Sequence, residues 1–489
     1  MWHDERLLIG GELVPAEGNR TYQAIDPSTG EELGPAADAS VADAQRAVES
    51  ARQAFDTTDW GTDVAFRQRC LRQLHEALVA KQEDLRQVLI ADTGLPHQLT
   101  QGPGLETPTG MVTWYADLLD KYEFRQDLGL SEFHGQMHAR WVEKEPAGVV
   151  AAIVPYNYPV QITLAKLVPA LAAGCTVVVK GPPQTPWITA ALASVIAEGT
   201  DIPPGVVNVL TSSSREVGEL LTTHPQVDMI SFTGSTAVGR QIMAAASATV
   251  KKVFLELGGK SAFIVVDDAD IGFAAMIAGF TVCSHAGQGC AITTRLLVPE
   301  AQHDAIVEAV ANTLAGVPYG DPRDPSTMMG PLISAAQLDK VEGCVRRAVE
   351  DGAKVVTGGT RAEMEGALAG GYFYEPTLLT NVDPDSSIAQ DEVFGPVLAV
   401  IPYRDDDEAV AIANNSIFGL SGSVFGTDVE RATAIARRLR TGTVSINGGA
   451  WFGPDVPFGG YKQSGIGREM GVPGLEEYLE QKALARPAG

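Results

Sequence analysis

The fold is decided by residues 147–180, AGVVAAIVPYNYPVQITLAKLVPALAAGCTVVVK. Two short runs rich in valine and alanine, 147–154 and 175–180, flank a stretch whose apolar residues recur at helical spacing. A strand, a helix and a second strand in this order are typical of a parallel β-sheet, because the helix returns the chain to the starting edge. The stretch therefore predicts a βαβ unit.

The same alternation continues in both directions of the chain beyond this unit. The further predicted strands and helices of the first half are GVVNVL 205–210, VDMISF 227–232, KKVFLEL 251–257, WITAALASVIAEG 187–199 and AVGRQIMAAASA 237–248. This order resembles a dinucleotide-binding fold, although periodicity does not separate it from other doubly wound α/β folds.

A second series of strands and helices begins near Lys260. Its predicted elements are SAFIVVDD 261–268, ADIGFAAMIAGFTVC 269–283, FGPVLAVI 394–401, DDDEAVAIANN 405–415, GSVFG 422–426, VERATAIARRL 429–439 and TVSIN 443–447. Residues 124–146 interrupt the first half without helical period and are either a flexible connector or a projecting hairpin. Residues 474–489 read as a terminal arm of the same kind. We therefore predict two α/β domains with two appended segments.

Composition limits the classes of function. The chain has 489 residues, 45% hydrophobic and 20% charged, and Lys+Arg 36 against Asp+Glu 61 gives a net charge of −25. Such a surface repels phosphate backbones, so nucleic acid is an unexpected partner. No apolar run is long enough to cross a membrane, and the first residues, MWHDERLLIGGELV, do not resemble a secretory signal.

The cysteines favour a reducing compartment. They are few, odd in number and without CxxC spacing: Cys70, Cys175, Cys283, Cys290 and Cys344. Reduced thiols are typical of a cytoplasmic protein, which is our expectation, and no metal site is predicted.

Cys290, within HAGQGCAITTR, lies among glycines and small residues after a predicted helix. A loop of this kind presents a side chain openly, and nearby backbone dipoles could deprotonate the thiol for attack on a carbonyl carbon. Taken alone, the residue is more often a small buried hydrophobe. The other four cysteines lie within apolar helical or strand segments, so we predict that they are small buried hydrophobic residues.

Two further residues follow predicted strands. Glu256 ends VFLELGGK, where partial burial would raise its pKa towards that of a general base, although an ion-pair role is equally consistent. Asn157, in VPYNYPV, could donate to an oxyanion, whereas a locally bonded turn is the commoner role.

Other segments are suited to a nucleotide. SFTGSTAVGR places Gly234 and Ser235 before a helix, whose free N–H groups suit a pyrophosphate, although a plain βα turn explains it equally well. Lys180 could bond a ribose hydroxyl or be solvated at a strand end. Glu392 and Phe394 could hold a second ribose and a ring, or be a loop acid and a core aromatic. The glycine-rich run 457–469, PFGGYKQSGIGRE, predicts sharp turns near a site or in a connector.

In this order and spacing the motifs resemble those of the aldehyde dehydrogenase superfamily. They are VPYNYP 154–159, KGPPQTP 180–186, SFTGSTAVG 231–239, LELGGK 255–260, GQGCAITTR 287–295, EVFGPV 392–397 and PFGGYKQSGIGRE 457–469. The resemblance implies Cys290 as nucleophile, Glu256 as general base and Asn157 as oxyanion donor. It implies oxidation of an aldehyde to the acid with NAD(P)+ through a thiohemiacetal and a thioester, which water activated by the glutamate hydrolyses.

The resemblance also implies the residues of the two binding regions. Those for the cofactor are Val154, Pro155, Tyr156, Lys180, Pro183, Phe232, Gly234, Ser235, Leu257, Gly258, Glu392 and Phe394. Those for the substrate are Tyr158, Ile162, Ala165, Ser284, Trp451, Phe452 and Phe458. Most of the second set are apolar, and no arginine is present to hold a carboxylate, so we expect a hydrophobic aliphatic or aromatic aldehyde.

Two positions depart from the pattern. Pro183 stands where relatives selective for NAD often carry a glutamate, so we expect NAD with NADP possible. Tyr156 stands where a tryptophan is usual. Alternative functions are a semialdehyde dehydrogenase preferring NADP and a cofactor-independent thiol esterase.

The resemblance implies a fold with a Rossmann-like cofactor domain, a catalytic domain and a small β oligomerisation region. The expected bounds are 1–123 and 146–256 for the cofactor domain, 257–465 for the catalytic domain, and 124–145 with 466–489 for oligomerisation. The last region is expected to extend a neighbour's sheet, giving a homodimer or homotetramer.

Overall fold

The computed structural model describes residues 4–488. Its strands are β1 Leu7–Ile9, β2 Glu12–Val14, β3 Thr21–Ile25, β4 Glu32–Ala37, β5 Arg125–Phe133, β6 Gln136–Pro146, β7 Val149–Ile153, β8 Thr176–Lys180, β9 Val207–Leu210, β10 Met229–Thr233, β11 Lys252–Glu256, β12 Ser261–Val265, β13 Thr293–Pro299, β14 Lys354–Thr357, β15 Thr377–Thr380, β16 Val397–Tyr403, β17 Gly422–Phe425, β18 Ser445–Ile446, β19 Gly465–Ile466 and β20 Leu479–Pro487.

The helices lie between and around these strands. They are α1 Val41–Thr57, α2 Val64–Ala80, α3 Gln82–Thr93, α4 His97–Thr100, α5 Glu106–Leu118, α6 Pro159–Ala173, α7 Pro186–Gly199, α8 Arg215–Thr223, α9 Thr236–Ala246, α10 Ile271–Cys283, α11 His303–Ala315, α12 Ala335–Glu350, α13 Ser387–Gln390, α14 Asp406–Asn414, α15 Val429–Ala436 and α16 Gly471–Glu476.

The predicted βαβ unit is present as β7, α6 and β8. The two strands pair in parallel, from Val149 opposite Thr176 to Ile153 opposite Lys180. Pro159 stands at the first position of α6, where its missing N–H costs nothing. All five residues of β8 are buried, as expected for a strand covered on both faces.

Two large sheets organise the chain. The first has the order β19-β11-β10-β7-β8-β9-β1-β2, and the second has the order β14-β15-β16-β13-β12-β17-β18. The predicted α/β class is confirmed. The sheets are mixed rather than wholly parallel, because β1, β2, β14 and β19 pair antiparallel at the edges.

The segment 124–146 and the terminal arm, whose structure the sequence did not determine, form a third, antiparallel sheet. Residues 124–146 form the hairpin of β5 and β6, so the hairpin alternative is confirmed and the flexible connector is wrong. The terminal arm forms β20, which pairs with β6 of the same chain from Leu479 opposite Pro146 to Pro487 opposite His138. Gly489 of the predicted arm and the first three residues of the N-terminal segment lie outside the described residues.

The edge of the first sheet positions the site. Phe232 pairs with Ile153 and Thr233 pairs with Glu256, so β7, β10 and β11 end side by side. Side chains after these strands therefore converge on one edge, where α/β sheets commonly bind ligands. Within residues 4–488, no helix is both long and apolar enough to cross a membrane.

Candidate active site

A strained turn presents Cys290. After α10 the backbone enters the left-handed region at His285, Ala286 and Gly287, with φ of 46°, 52° and 73°. A Cβ at Gly287 would lie 2.1 Å from the Gly395 carbonyl oxygen, so only glycine fits there. Cys290 is partly exposed, whereas the other four cysteines are buried. The structure thus separates Cys290 from the rest, as predicted.

The surroundings of Cys290 do not lower the pKa of its thiol. Burial raises that pKa, and the carboxyl groups of Glu256, Glu392 and Glu469 raise it further, whereas the backbone N–H of Ala291 lowers it. The expectation that backbone dipoles would deprotonate the resting thiol is therefore wrong. Desolvation and three acids outweigh one N–H group.

Asn157 is fixed beside the same turn. It is buried at 4% exposure, and its Nδ2 donates to the Gln288 carbonyl oxygen at 2.9 Å. Gln288 is itself held, because its Nε2 donates to the His285 carbonyl at 3.1 Å and its Oε1 accepts from the Ile333 N–H at 2.9 Å. An amide nitrogen carries two hydrogens, so Asn157 keeps one donor for another acceptor.

Glu256 ends β11 as a buried acid with 1% exposure. Neither carboxyl oxygen has a hydrogen-bond partner in the described part of the chain. Burial and the nearby Glu469 raise its pKa well above the usual value, although Lys166 and Arg468 act in the opposite direction. Lys166 is bound to Glu469, with Nζ and Oε1 2.6 Å apart. Glu256 is thus left unpaired, as a general base requires.

One cavity, of about 240 Å³, opens at the edge of the first sheet. Its lining is Pro155, Tyr156, Asn157, Thr233, Gly234, Ser235, Leu257, Gly258, Cys290, Gln337, Lys340, Glu392 and Phe394. We call this the sheet-edge cavity. It brings together most of the residues predicted for the cofactor.

Four of the predicted cofactor residues do not line this cavity. Val154 and Phe232 are buried, and Pro183 is exposed. Lys180 lies at the end of β8, where its Nζ donates to the Gly181 carbonyl at 3.0 Å and burial lowers its pKa to about 8. Lys180 still stands at the same sheet edge, because it pairs with Ile153.

The local backbone positions two side chains of the sheet-edge cavity, Glu392 beside two glycines and Ser235 at the start of a helix. The Glu392 Oε1 accepts from the Gly259 N–H at 2.9 Å, and a Cβ at Gly258 would lie 2.5 Å from its Oε2. The bare backbone of Gly258 therefore makes room for this carboxyl group. Ser235 is the N-cap of α9 and accepts from the Val238 N–H. A helix start of this kind attracts anions.

Sequence reasoning missed three lining residues of the sheet-edge cavity. Thr233 lies within the motif SFTGSTAVG, so this motif could have identified it as a lining residue. Gln337 and Lys340 lie on α12, which carries no recognisable motif. Lys340 acts on Glu392, since it lowers the pKa that burial raises.

A second cavity, of about 310 Å³, lies on the other side of Cys290. Its lining is Pro103, Asn157, Tyr158, Gln161, Ile162, Thr233, Glu256, Thr281, Ser284, Gly289, Cys290, Ala291, Ile292, Trp451, Phe452, Phe458 and Glu469. We call this the aromatic cavity. It contains Tyr158, Ile162, Ser284, Trp451, Phe452 and Phe458 as predicted, whereas Ala165 is buried and does not line it.

The aromatic cavity has walls built from separate parts of the chain. The rings of Trp451 and Phe458 stack with centroids 5.8 Å apart and planes 10° apart, and Phe452 meets Trp451 edge-on. Pro103, Gln161, Thr281, Gly289 and Ile292 were not predicted. No motif contains Gln161 or Thr281, although their position on α6 and α10 near predicted lining residues was a usable signal.

The two cavities meet at Asn157, Thr233 and Cys290. A thiol therefore lines both the sheet-edge cavity and a largely apolar chamber that contains a free acid. This arrangement allows covalent chemistry on a carbonyl group. Within residues 4–488, no three histidine, cysteine or carboxylate side chains are placed to hold a metal ion.

Comparison with known proteins agrees with this geometry. The model of the aldehyde dehydrogenase family matches residues 13–484. The 3-succinoylsemialdehyde-pyridine dehydrogenase of a Pseudomonas species is 40% identical over 481 residues, which cover 98% of each chain. A putative aldehyde dehydrogenase of Staphylococcus aureus strain MSSA476 is 40% identical over 480 residues, again covering 98% of each chain.

Two solved structures are similar throughout. Betaine aldehyde dehydrogenase of Staphylococcus aureus in complex with NAD+ has a TM-score of 0.95 and 35% identity, covering 99% of this chain and 94% of that one. A mutant of aldehyde dehydrogenase C of Pseudomonas syringae with NAD+ and octanal has a TM-score of 0.92 and 36% identity, covering 99% and 96%. The chain belongs to the aldehyde dehydrogenase family.

Proposed function

We propose that this NAD(P)-dependent aldehyde dehydrogenase oxidises a neutral, hydrophobic aldehyde to its carboxylic acid through a thioester on Cys290. The observation that carries the proposal is the position of Cys290 at the junction of the two cavities, with Asn157 on the same junction and Glu256 in the aromatic cavity. Each of these three residues then has a distinct role.

Cys290 is the nucleophile. Its thiol first releases its proton to solvent, and the thiolate sulfur then adds to the aldehyde carbon and forms a thiohemiacetal. The negative charge that develops on the aldehyde oxygen is held by the free N–H of Asn157 and by the backbone N–H of Cys290. Because Asn157 is anchored to Gln288, this donor is in place before the charge develops.

The sheet-edge cavity is the cofactor site. Bound NAD+ supplies the acceptor for the hydride that leaves the thiohemiacetal carbon, which leaves a thioester on the sulfur. The start of α9 at Ser235 would hold the pyrophosphate, and Glu392 and Lys180 would hold the two riboses. Tyr156 and Phe394, whose rings meet edge-on at 6.1 Å, would flank the path to the nicotinamide. The related structures that contain NAD+ support this assignment.

Glu256 completes the cycle. A buried carboxyl group with no hydrogen-bond partner among the described residues and a raised pKa is able to take a proton from water. The resulting hydroxide equivalent attacks the thioester carbon, releases the acid and restores the thiol. The low-dielectric surroundings that raise the pKa are therefore functional.

The charges of the aromatic cavity disfavour an anionic substrate. Its charged lining residues are Glu256 and Glu469, with no lysine or arginine. Two of the relatives are named for substrates that differ in shape and charge, and a third was solved with octanal. These names and this ligand do not indicate which aldehyde the present chain uses. The cavity favours hydrophobic aldehydes over those that carry a carboxylate.

We further propose that the first, second and third sheets described above belong to a cofactor-binding region, a catalytic region and an oligomerisation region, and that the chain forms a homodimer or homotetramer. The third sheet exposes apolar side chains, with Leu130 62% and Phe133 66% exposed. Such a patch is typical of a surface that a partner covers. Ile466 pairs with Leu255 of the first sheet and Glu469 lines the aromatic cavity, so the start of the segment 466–489 also contributes to the site.

The proposed activity is tested by following reduced cofactor and aldehyde together. We expect loss of a hydrophobic aldehyde only when NAD+ or NADP+ is added, with one reduced cofactor formed for each acid. Release of acid from an ester without any cofactor would be a side reaction of Cys290. Aldehyde loss without formation of reduced cofactor would contradict the proposal.

A further inference from the structure

We propose that the enzyme selects aromatic aldehydes whose ring carries a neutral hydrogen-bonding substituent, and that Gln161 and Thr281 recognise that substituent. The inference rests on the proposed function and adds the substrate class. It is carried by the size and the walls of the aromatic cavity and by two of its unpaired polar groups, the amide of Gln161 and the hydroxyl of Thr281.

The size of the aromatic cavity suits a substituted ring. A cavity of about 150 Å³ in an apolar protein core is large enough to bind benzene. The aromatic cavity measures about 310 Å³, roughly twice that volume. It therefore accommodates one ring together with its formyl group and a further substituent, and a short aliphatic aldehyde would leave most of it unfilled.

The walls of the cavity suit a flat ring. Trp451 and Phe458 present nearly parallel planes, with Phe452 edge-on to the first of them. Tyr158 lines the same chamber. Aromatic rings prefer offset-stacked or edge-to-face neighbours, and walls of this kind supply both.

Two polar groups in these walls are unused. The amide of Gln161 and the hydroxyl of Thr281 line the cavity, and neither makes a side-chain hydrogen bond within the described residues. The Thr233 hydroxyl and the Glu256 carboxyl group also lack partners, but Thr233 lies at the junction with the sheet-edge cavity and Glu256 serves the hydrolysis step. A substrate substituent that can both donate and accept a hydrogen bond would therefore find partners in Gln161 and Thr281.

The charges of the cavity exclude an acidic substituent. No lysine or arginine lines it, and the side chains of Glu256 and Glu469 do. Lys166 is the nearest cation to these acids, and it is fully buried and bound to Glu469. A substrate carboxylate would lose its water without gaining a cation, which is costly. The substituent is therefore not an anion, and the uncharged amide of Gln161 and hydroxyl of Thr281 match a neutral one.

Matched substrates test the inference. Benzaldehydes that carry a hydroxymethyl, an ethyl or a carboxyl group, each at the meta and at the para position, have substituents of similar size and different chemistry. For the better of the two positions, we expect kcat/KM of the hydroxymethyl compound to exceed that of the ethyl compound by about 3- to 10-fold, the effect of one net hydrogen bond. We expect the carboxyl compound to be the poorest of the three.

Two variants locate the recognition. Gln161→Leu and Thr281→Val remove the polar groups at similar size, and at least one of them should reduce the hydroxymethyl preference to about 1. Gln53→Leu, at an exposed position of α1, is the matched control and should keep the wild-type ratio. Because the readout is a ratio for one enzyme preparation, a general loss of stability does not move it.

The outcomes separate the two proposals. Aldehyde oxidation with no hydroxymethyl preference, or a preference that both variants retain, would overturn the substrate class and leave the proposed function standing. A carboxyl compound used best of the three would overturn it as well. If no reduced cofactor forms with any of the aldehydes, the proposed function is wrong, and so is the inference that rests on it.

Discussion

The sheet-edge cavity and the aromatic cavity share Cys290 and differ in how they are built. The first is made by strand ends and the turns that follow them, where Gly234, Gly258 and Ser235 offer backbone groups and a helix start. The second is made by side chains from α6, from α10 and from the glycine-rich segment around Phe458. Backbone geometry sets one cavity, and side-chain identity sets the other.

The contrast between the two cavities indicates which of them determines substrate specificity. The sheet-edge cavity takes its shape from backbone turns, so it suits the cofactor, which is the reactant that related enzymes share. A site made of dispersed side chains changes with each substitution. We therefore expect substitutions of residues that line both cavities to stop turnover. Substitutions in only one cavity should affect a single reaction step or the binding of a single ligand.

The largest expected effect is that of Cys290→Ala at the junction. Removing the nucleophile should reduce kcat by at least about 10⁴-fold, since no other group forms the covalent intermediate. Binding of NAD+, followed by calorimetry, should change little. Cys283→Ala is the control, because Cys283 is buried on α10, where burial raises its pKa to about 12. Wild-type turnover in the first variant would remove the nucleophile assignment.

Asn157→Ala should produce the next largest effect. Loss of one preorganised donor to an oxyanion lowers kcat by about 10²- to 10³-fold. A single-turnover measurement should place the loss in the formation of reduced cofactor. Since Asn157 also bonds Gln288, the melting temperature must be measured beside the rate. A slow hydrolysis step with a normal first turnover would be inconsistent with the oxyanion role.

A change of pH should separate the step in the aromatic cavity from the steps at the junction. Glu256 must be ionised to act as base, and its pKa is raised, so hydrolysis of an acyl-enzyme should fall as the pH drops through that raised pKa. Below the pKa the expected slope is about tenfold per pH unit. Acylating the thiol first with an activated ester removes its own ionisation from the profile. Fastest hydrolysis at the acidic end would contradict the assignment.

The smallest effect is expected at the rim of the sheet-edge cavity. Pro183 is exposed three residues after Lys180, and no carboxylate of the motif KGPPQTP is present to repel a ribose phosphate. Pro183→Glu should raise the KM for NADP+ by several-fold, roughly the effect of one charge near the surface, and leave that for NAD+ nearly unchanged. Gln184→Glu, also exposed, is the neighbouring control. Equal shifts for both cofactors would show that position 183 does not discriminate between them.

The same contrast explains what the sequence predicted. Strand and helix alternation indicates the α/β class, and many residues of the sheet-edge cavity follow from motifs that lie directly after strands, such as Gly234 and Leu257. Gln337 and Lys340 reach that cavity from α12, which is distant in sequence and carries no motif. Pairings between distant segments, such as the mixed edges of the sheets, depend on tertiary contacts that no local pattern records.

The raised thiol pKa was also beyond sequence reasoning. It depends first on burial of the thiol and then on Glu256, Glu392 and Glu469, which lie far apart along the chain and meet only in the folded structure. A loop rich in glycine predicts that a thiol is presented, and it does not predict which charges surround it.

The most direct test of the account is to trap the covalent intermediate in Glu256→Gln. With aldehyde and NAD+, we expect a burst of reduced cofactor close to one per site, then slow turnover. Intact-mass and peptide spectrometry should find Cys290 heavier by the mass of the aldehyde less two hydrogens, as a thioester requires. A steady state equal to that of the wild type, or a burst with no adduct on Cys290, would contradict the central claim that this thiol carries the acyl group and that this acid releases it.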